Sequence, residues 1–330
     1  MEQLQTKQWR VDPKRVHRYS DVSIREAAAL LKHNEVVAFP TETVYGLGGN
    51  AFSDEAIKKI FKAKGRPADN PLIVHIAEQS QLQDVVADVP QTAARLIDAF
   101  WPGPLTVVLS KRRGISDYAT ADRSTVAVRM PDHPVARALI KEAAVPVAAP
   151  SANRSGKPSP TNAQHVLADL DGLIAGVLDG GDAGIGVEST VVKCTDSSVT
   201  ILRPGGITTE QIEAIVPVNK QRSSDGANAV TPESPGMKYT HYAPSAPMLL
   251  KSGNVYDVQS VVDKARKNGK RVGVLTTEEN EHHYQADVIL ACGKREELET
   301  VAANLYATLR QFDRCNVDLI VSETFPHAGI

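Results

Sequence analysis

Apolar residues recur along this chain in two alternating spacings. Short apolar runs rich in β-branched residues predict strands at 36–40, 72–76, 105–109, 125–130, 146–150, 189–194 and 199–203. Segments with apolar positions three and four residues apart predict helices at 53–64, 133–143, 161–170 and 208–215. Ser53 and Thr161 are the expected N-caps of two of these helices. Such alternation is typical of an α/β fold built around a central sheet.

The pattern changes after residue 218. Residues 219–247 are rich in Ser, Pro, Gly and Asn and lack apolar periodicity, so they are predicted to form a linker. A second series of strand-like and helical segments follows, with the strand-like runs PMLLK, RVGVLTT, ADVILA and VDLIVSE. We therefore expect a first domain over 1–218, a linker over 219–247 and a smaller α/β domain over 248–330.

Composition and charge narrow the class of function. A net charge of -2 over 330 residues gives no overall positive field for nucleic acid, so any RNA contact needs a local patch. The three cysteines form no CxxC motif, which is typical of a reducing cytosol. The N-terminal segment is polar, and no run approaches the roughly 20 apolar residues of a membrane span. We expect a soluble cytoplasmic protein that does not bind membranes.

The common catalytic signatures are absent from the sequence. SGKPS at 155–159 is not a phosphate-binding Walker A motif, because proline follows its lysine. GGDAGIG at 180–186 leads into a predicted strand rather than a helix, so it is only a weak match to the dinucleotide-binding motif. HExxH and a nucleophile elbow do not occur either.

Loops of small, hydroxyl-bearing and cationic residues border several predicted strands. They are PTETVYGLG (40–48), KGRPADNP (64–71), APSANRSGKPSPT (149–161), GVEST (186–190) and RPGG (203–206). Taken singly, each also fits an ordinary turn or a solvated helix end. Taken together, they place donors and cations at several strand ends, where α/β sheets bind ligands.

Three side chains indicate what such a ligand carries. Arg66 suits bidentate recognition of phosphate, and Arg129 ends an apolar strand where it needs an anionic partner such as a carboxylate. His75 is expected in mid-strand, as either a core residue or a site residue. No acid–base dyad accompanies them. This pattern predicts an anion-rich substrate and catalysis by orientation and charge stabilisation, as in nucleotide or acyl-phosphate chemistry.

The motifs resemble those of a known family. PTETVYGLG, KGRPADNPLIVHI, WPGPLTVVL, VAVRMPDHP, PVAAPSANRSGKPSPT, GVESTVV and ILRPGGI, in this order, are similar to the YrdC-like threonylcarbamoyl-AMP synthases over about residues 22–215. SPGMKYTHYAP at 234–244 resembles the long form of that family, which has an extra C-terminal domain. The resemblance implies a twisted mixed α/β sheet with a concave cationic cavity, and a small Rossmann-like C-terminal domain.

The resemblance also implies a reaction. L-threonine, bicarbonate and ATP are expected to give threonylcarbamoyl-AMP, pyrophosphate and water. Mg2+ would be carried by the phosphates, with no metal ligand from the protein. A partner transferase of the TsaD/Kae family then modifies tRNA, and direct contact with tRNA is not required of this chain.

Residue roles follow from the same motifs. The implied threonine ligands are Thr43, His75, Arg129, Ala149 through its backbone, and Ser189. Lys64, Arg66 and Asn70 would face the phosphates, with Lys64 and Arg66 as the catalytic cations. The implied contacts to the rest of the nucleotide are Thr125, Ser151, Asn153, Ser159 and Arg203, with Tyr242 as a lid and His241 beside it.

Two other classes of function remain open from the sequence. An RNA-binding module could use the KGR turn and KRRG at 111–114, although only 5% of residues are aromatic for base stacking. A carbamoyltransferase of the kind found in hydrogenase maturation factors would use carbamoyl phosphate, although the zinc-finger cysteines expected there are missing.

Overall fold

The computed structural model describes residues 5–16, 21–219 and 242–325, which fall into two compact units. The first holds residues 5–16, 21–155, 159–184 and 188–219. The second holds residues 242–325 together with 156–158 and 185–187, two short segments within the span predicted as the first domain.

The first unit is built on one mixed sheet of ten strands. Its spatial order is β1-β8-β2-β3-β7-β4-β6-β5-β9-β10, with both parallel and antiparallel pairs. The strands are β1 (Lys7–Arg10), β2 (Val37–Phe39), β3 (Gly46–Asn50), β4 (Ile73–His75), β5 (Leu105–Ser110), β6 (Thr125–Arg129), β7 (Val147–Ala149), β8 (Gly176–Asp179), β9 (Thr190–Cys194) and β10 (Val199–Arg203).

Eight helices accompany this sheet in the first unit's described residues. They are α1 (Val22–Lys32), α2 (Asp54–Lys64), α3 (Leu82–Val85), α4 (Gln91–Phe100), α5 (Asp117–Thr120), α6 (Pro134–Ala143), α7 (Ala163–Leu170) and α8 (Thr209–Glu213).

Helix α2 has the boundaries that its sequence predicts. Ser53 Oγ accepts a hydrogen bond from Ala56 N at 3.2 Å and caps the first turn. Gly65, at φ 63°, provides the left-handed residue that ends the helix. The helix therefore ends at Lys64, at the start of the predicted phosphate loop.

The cap of helix α7 differs from the prediction. Asn162 Oδ1, rather than the side chain of Thr161, accepts from His165 N at 3.0 Å. Thr161 is buried instead, with its hydroxyl 3.4 Å from His165 Nδ1. The expectation of Thr161 as N-cap is wrong, because its neighbour offers an amide oxygen that is an equally good cap.

The sheet is buried on both faces, which explains its apolar strand runs. Ala38 and Ala148 belong to one apolar cluster, whereas Val37, Phe39 and Val147 belong to another. Neighbouring residues of a strand point to opposite faces, so each cluster covers one face.

Strand register brings several predicted site residues to one edge of the sheet. His75 pairs with Arg129 where parallel strands β4 and β6 end. Leu105 pairs with Thr190 where β5 and β9 begin, next to Ser189, and β5 runs antiparallel to β6. The carboxyl ends of β4 and β6 therefore meet the amino ends of β5 and β9.

The second unit has a smaller sheet of four parallel strands, in the order β11-β14-β12-β13. Its apolar core includes residues of both strands and helices, such as Val258 and Val274. This parallel sheet with helices fits the Rossmann-like α/β expectation. The elements are β11 (Met248–Lys251), α9 (Val255–Lys267), β12 (Val272–Thr276), β13 (Val288–Ala291), α10 (Leu298–Arg314) and β14 (Leu319–Glu323).

Candidate active site

Arg129 is a buried cation at the end of β6. It is 3% exposed, and its Nη1 donates to Thr43 Oγ1 at 2.9 Å while Nε donates to Gly103 O at 3.2 Å. Thr43 is itself held by Thr41, whose hydroxyl lies 2.8 Å from its own. The turn after β2 thus fixes a hydroxyl and a guanidinium beside each other, as carboxylate recognition requires.

Glu42 supplies the anionic partner of Arg129 in this structure. Its Oε1 lies 2.6 Å from Arg129 Nη2, and its side chain is 13% exposed. The sequence predicts an anionic partner for Arg129 but does not identify Glu42 as that partner. The signal was an acid between two threonines in the PTET turn, directly after a buried strand.

His75 is the last residue of β4, rather than lying in mid-strand, and it is uncharged. Burial is the main cause, and the positive charge of Arg129 adds to it; together they lower the pKa of His75 to about 3. The ring packs edge-on against Phe39, with ring centroids 5.9 Å apart. Next to Arg129 the site therefore offers a neutral imidazole that adds no second positive charge.

Ser189 and Arg203 are brought into direct contact, although the sequence assigned them to different ligands. Arg203 donates to the carbonyl oxygen of Ser189 from Nη2 at 2.8 Å and to its hydroxyl at 3.1 Å. The Ser189 hydroxyl also lies 2.7 Å from that of Thr106. This contact joins the proposed threonine and nucleotide residues at the starts of β5 and β9.

Lys64 is buried among main-chain oxygens of the predicted nucleotide loop. The residue is 2% exposed, and its Nζ donates to Ser151 O at 2.5 Å and to Asn153 O at 2.7 Å. Ser151 Oγ in turn donates to Asn153 Oδ1 at 2.5 Å. The three residues form one cluster at the end of α2.

Arg66 and Asn70 lie on either side of the turn that follows α2. Arg66 Nη2 donates to the main-chain oxygen of Asn70 at 3.1 Å. Asn70 is fully buried, yet neither atom of its side-chain amide has a hydrogen-bond partner among the residues described. A buried amide of this kind calls for a polar ligand.

Three further predicted residues lie elsewhere in the first unit. Ser159 Oγ donates to Glu188 Oε1 at 2.6 Å. Ala149 pairs with Ile73, at the opposite end of β4 from His75. Thr125 begins β6, so it lies about 13 Å along the strand from Arg129.

The proposed lid residue lies in the second unit. The ring of Tyr242 is 5.3 Å from that of Tyr306, centroid to centroid. His241 and most of the predicted linker lie outside the described residues. The lid therefore stays a prediction.

The KRRG segment of the RNA-binding alternative begins with a cation that is already paired. Lys111 Nζ forms an ion pair with Asp117 at 2.5 Å. Within the described ranges, no helix is long and apolar enough to cross a bilayer.

Two family models match successive parts of the chain. One, described as "Telomere recombination", matches residues 29–205, and the other, described as "Threonylcarbamoyl-AMP synthase, C-terminal domain", matches residues 207–330. The chain is 55% identical to the threonylcarbamoyl-AMP synthase of Bacillus subtilis, covering 99% of this chain and 95% of that protein.

The chain belongs to the threonylcarbamoyl-AMP synthase family.

Other members of this family share its length and fold. The Pyrococcus abyssi threonylcarbamoyl-AMP synthase is 44% identical over 95% of this chain and 92% of its own. The crystal structure of P. abyssi Sua5 complexed with L-threonine superposes with a TM-score of 0.85 at 42% identity, covering 99% of this chain and 93% of that one. The family, its long form, the α/β fold with a second domain and the enzymatic activity, all predicted from the sequence, are confirmed.

Proposed function

We propose that this chain forms L-threonylcarbamoyl-AMP from L-threonine, bicarbonate and ATP, with release of pyrophosphate. The observation that carries the proposal is the alignment of buried Arg129 with neutral His75 at one sheet edge. A cation beside an uncharged ring is suited to one carboxylate on a small polar molecule. Threonine fits this description, and Thr43, Ser189 and the backbone of Ala149 complete its proposed set of ligands.

The phosphates are proposed to bind next to the end of α2. The cations of Lys64 and Arg66 and the unpartnered amide of Asn70 support this position. Ser151, Asn153, Ser159, Thr125 and Arg203 would hold the rest of the nucleotide. This set of cations, amides and hydroxyls contains no carboxylate, so it fits a nucleotide whose Mg2+ is carried by its phosphates. When bound, Mg2+ would neutralise phosphate charge.

The reaction would proceed in two steps between these subsites. The threonine ammonium first loses a proton to solvent, and the neutral amine attacks the carbon of bicarbonate. A C–N bond forms and a C–O bond breaks as water leaves, which gives a carbamate. A carbamate oxygen then attacks the α-phosphate, and pyrophosphate departs. Lys64 and Arg66 would stabilise the charge that develops on pyrophosphate, and Arg129 would hold the carboxylate in place, so positioning and electrostatics provide the rate.

The product is a reactive mixed anhydride, which needs protection from water. Tyr242 and its linker are proposed to close over the nucleotide for this purpose. A transferase of the TsaD/Kae type is the proposed acceptor of the product for tRNA modification. The cytoplasm is the proposed setting, supported by free cysteines at 194, 292 and 315.

The proposal is tested by incubating the protein with ATP, labelled bicarbonate and each amino acid in turn. Label should enter an adenylate, with stoichiometric pyrophosphate, only when threonine is present. Arg129→Ala should abolish the labelled product, whereas the exposed Arg113→Ala should turn over normally. Turnover that requires carbamoyl phosphate would favour the carbamoyltransferase, and salt-sensitive tRNA binding without ATP turnover would favour the RNA-binding module.

A further inference from the structure

The Glu42–Arg129 pair places two opposite charges side by side at the proposed threonine subsite. Arg129 Nη2 and Glu42 Oε1 are 2.6 Å apart, and both side chains are largely buried. Arg129 already has two neutral hydrogen-bond partners, Thr43 and Gly103. Arg129 is therefore already held in place by neutral partners, so the buried carboxylate of Glu42 needs a further explanation.

The described residues donate no hydrogen bond to the buried carboxylate of Glu42. Neither of its oxygens has a hydrogen-bond partner within the described part of the chain, and both are inaccessible to solvent. Its contact with Arg129 is electrostatic, without the direction of a hydrogen bond. Buried carboxylate oxygens are normally satisfied by donors, so this geometry leaves room for an N–H donor from a ligand.

The surroundings of Glu42 favour a cationic donor. His133 is close enough to Glu42 for their charges to interact, but burial lowers its pKa, so it is mostly neutral at physiological pH. Its Nδ1 also lacks a hydrogen-bond partner among the described residues. Arg129 is the nearby cation that neutralises Glu42. A ligand carboxylate bound to Arg129 would compete with Glu42 for the positive charge of the guanidinium. The glutamate would then need a new positive partner.

We propose that Glu42 is the residue that receives the α-ammonium group of the amino-acid substrate. A zwitterion carries a carboxylate and an ammonium on one carbon, and the Arg129–Glu42 pair presents their two complements next to each other. The contact orients the nitrogen that becomes the carbamate, and it discriminates against hydroxy acids that lack the amine. This inference rests on the proposed function, since it assigns a role within the threonine subsite.

Calorimetric titration with two ligands tests the inference. L-threonine is compared with 3-hydroxybutanoate, in which hydrogen replaces the ammonium, on wild type, Glu42→Gln and the control Glu35→Gln. Glu35 is also an ion-paired glutamate, 2.8 Å from Lys59, but lies outside the site. We expect Glu42→Gln to reduce the preference for threonine by about tenfold or more, because a charge-assisted bond to the ammonium is lost. Glu35→Gln should leave the preference unchanged.

The outcomes separate this inference from the proposed function. Wild type that binds no threonine overturns both. An unchanged preference in Glu42→Gln, an equal weakening of both ligands, or tighter threonine binding overturns only the role of Glu42. If the variant does not fold, a structure of the wild type with L-threonine decides. A Glu42 oxygen within about 3.2 Å of the threonine nitrogen supports the role, and any longer distance overturns it.

Discussion

The ammonium of Lys64 lies 2.5 Å from the main-chain oxygen of Ser151, inside the loop that precedes helix α7. The contact is reinforced in the opposite direction, because Ser155 N donates to Lys64 O at 3.0 Å. Lys64 thus belongs both to the proposed phosphate subsite and to the packing of this loop. Arg66, only two residues on, donates to the main-chain oxygen of Asn70 in its own turn, and its guanidinium carbon lies 5.9 Å from the centroid of the Phe61 ring.

This difference predicts that the two cations respond differently to substitution. Lys64→Met should abolish pyrophosphate release and also lower the unfolding free energy by about 2 kcal/mol, because buried carbonyl oxygens lose their donor. Arg66→Ala should abolish pyrophosphate release with the unfolding free energy changed by less than about 1 kcal/mol. Urea unfolding and a pyrophosphate assay measure both effects.

Lys62→Ala is the matched control, since this exposed lysine lies in the same last turn of α2. It should behave as wild type in both assays. Wild-type turnover in Arg66→Ala would remove the phosphate clamp from the mechanism.

Ser189 links the two proposed subsites, which predicts a selective kinetic effect. Ser189→Ala removes the hydroxyl that contacts Arg203 and Thr106 but leaves the carbonyl that holds Arg203. We expect KM for threonine to rise about tenfold, as for loss of one buried hydrogen bond, while KM for ATP stays within about twofold. Steady-state kinetics with each substrate varied would check this, and an equal rise in both KM values would contradict the assignment.

The strands predicted from the sequence are apolar runs, whereas a strand made mostly of small residues was missed. Strand β3, Gly46–Asn50, has the sequence GLGGN and was read as part of a loop. Its glycines are required by packing, because a Cβ on Gly48 would lie 2.7 Å from both Phe39 and Val147. Neither ring nor valine is adjacent in sequence, so local propensity carries no sign of this constraint.

Candidate site residues could be named from sequence motifs, but the contacts between them could not. Motif positions gave Arg129, His75 and Ser189 without their partners. Glu42 was missed because its contact with Arg129 joins residues 87 positions apart, through the register of the sheet. Hydroxyls and acids after a strand are also common in ordinary turns, so their chemistry emerges only when the strands are assembled.

The buried His75 predicts a pH dependence of stability. Its pKa of about 3 in the folded chain lies below the ordinary value of 6.5, so the unfolded chain binds more protons between these values. Stability is therefore complete above about pH 6.5 and falls as the pH decreases toward 3. Because the unfolded chain protonates His75 and the folded chain does not, this residue alone should lower the unfolding free energy by about 2 kcal/mol from pH 8 to pH 5.

Urea unfolding of wild type and His75→Gln at these two pH values isolates the effect. The pKa of His133 is also lowered by burial, but His133 is present in both proteins and its contribution cancels. The variant should lose less stability on acidification than wild type. Equal losses in the two proteins would show that the pKa of His75 is not lowered in the folded chain.

The second unit gives the last prediction. The first unit has its own apolar clusters, so a chain that ends before residue 234 should keep its fold and its Arg129 subsite. It would lack Tyr242, the proposed lid, and should form threonylcarbamoyl-AMP at least about tenfold more slowly, because an open site admits water to the anhydride.

Full-length Tyr242→Ala should show a smaller loss in the same direction, whereas the exposed Tyr256→Ala should not. Labelled-bicarbonate incorporation measures all three proteins, and full-rate synthesis by the truncated chain would mean that closure over the nucleotide is dispensable.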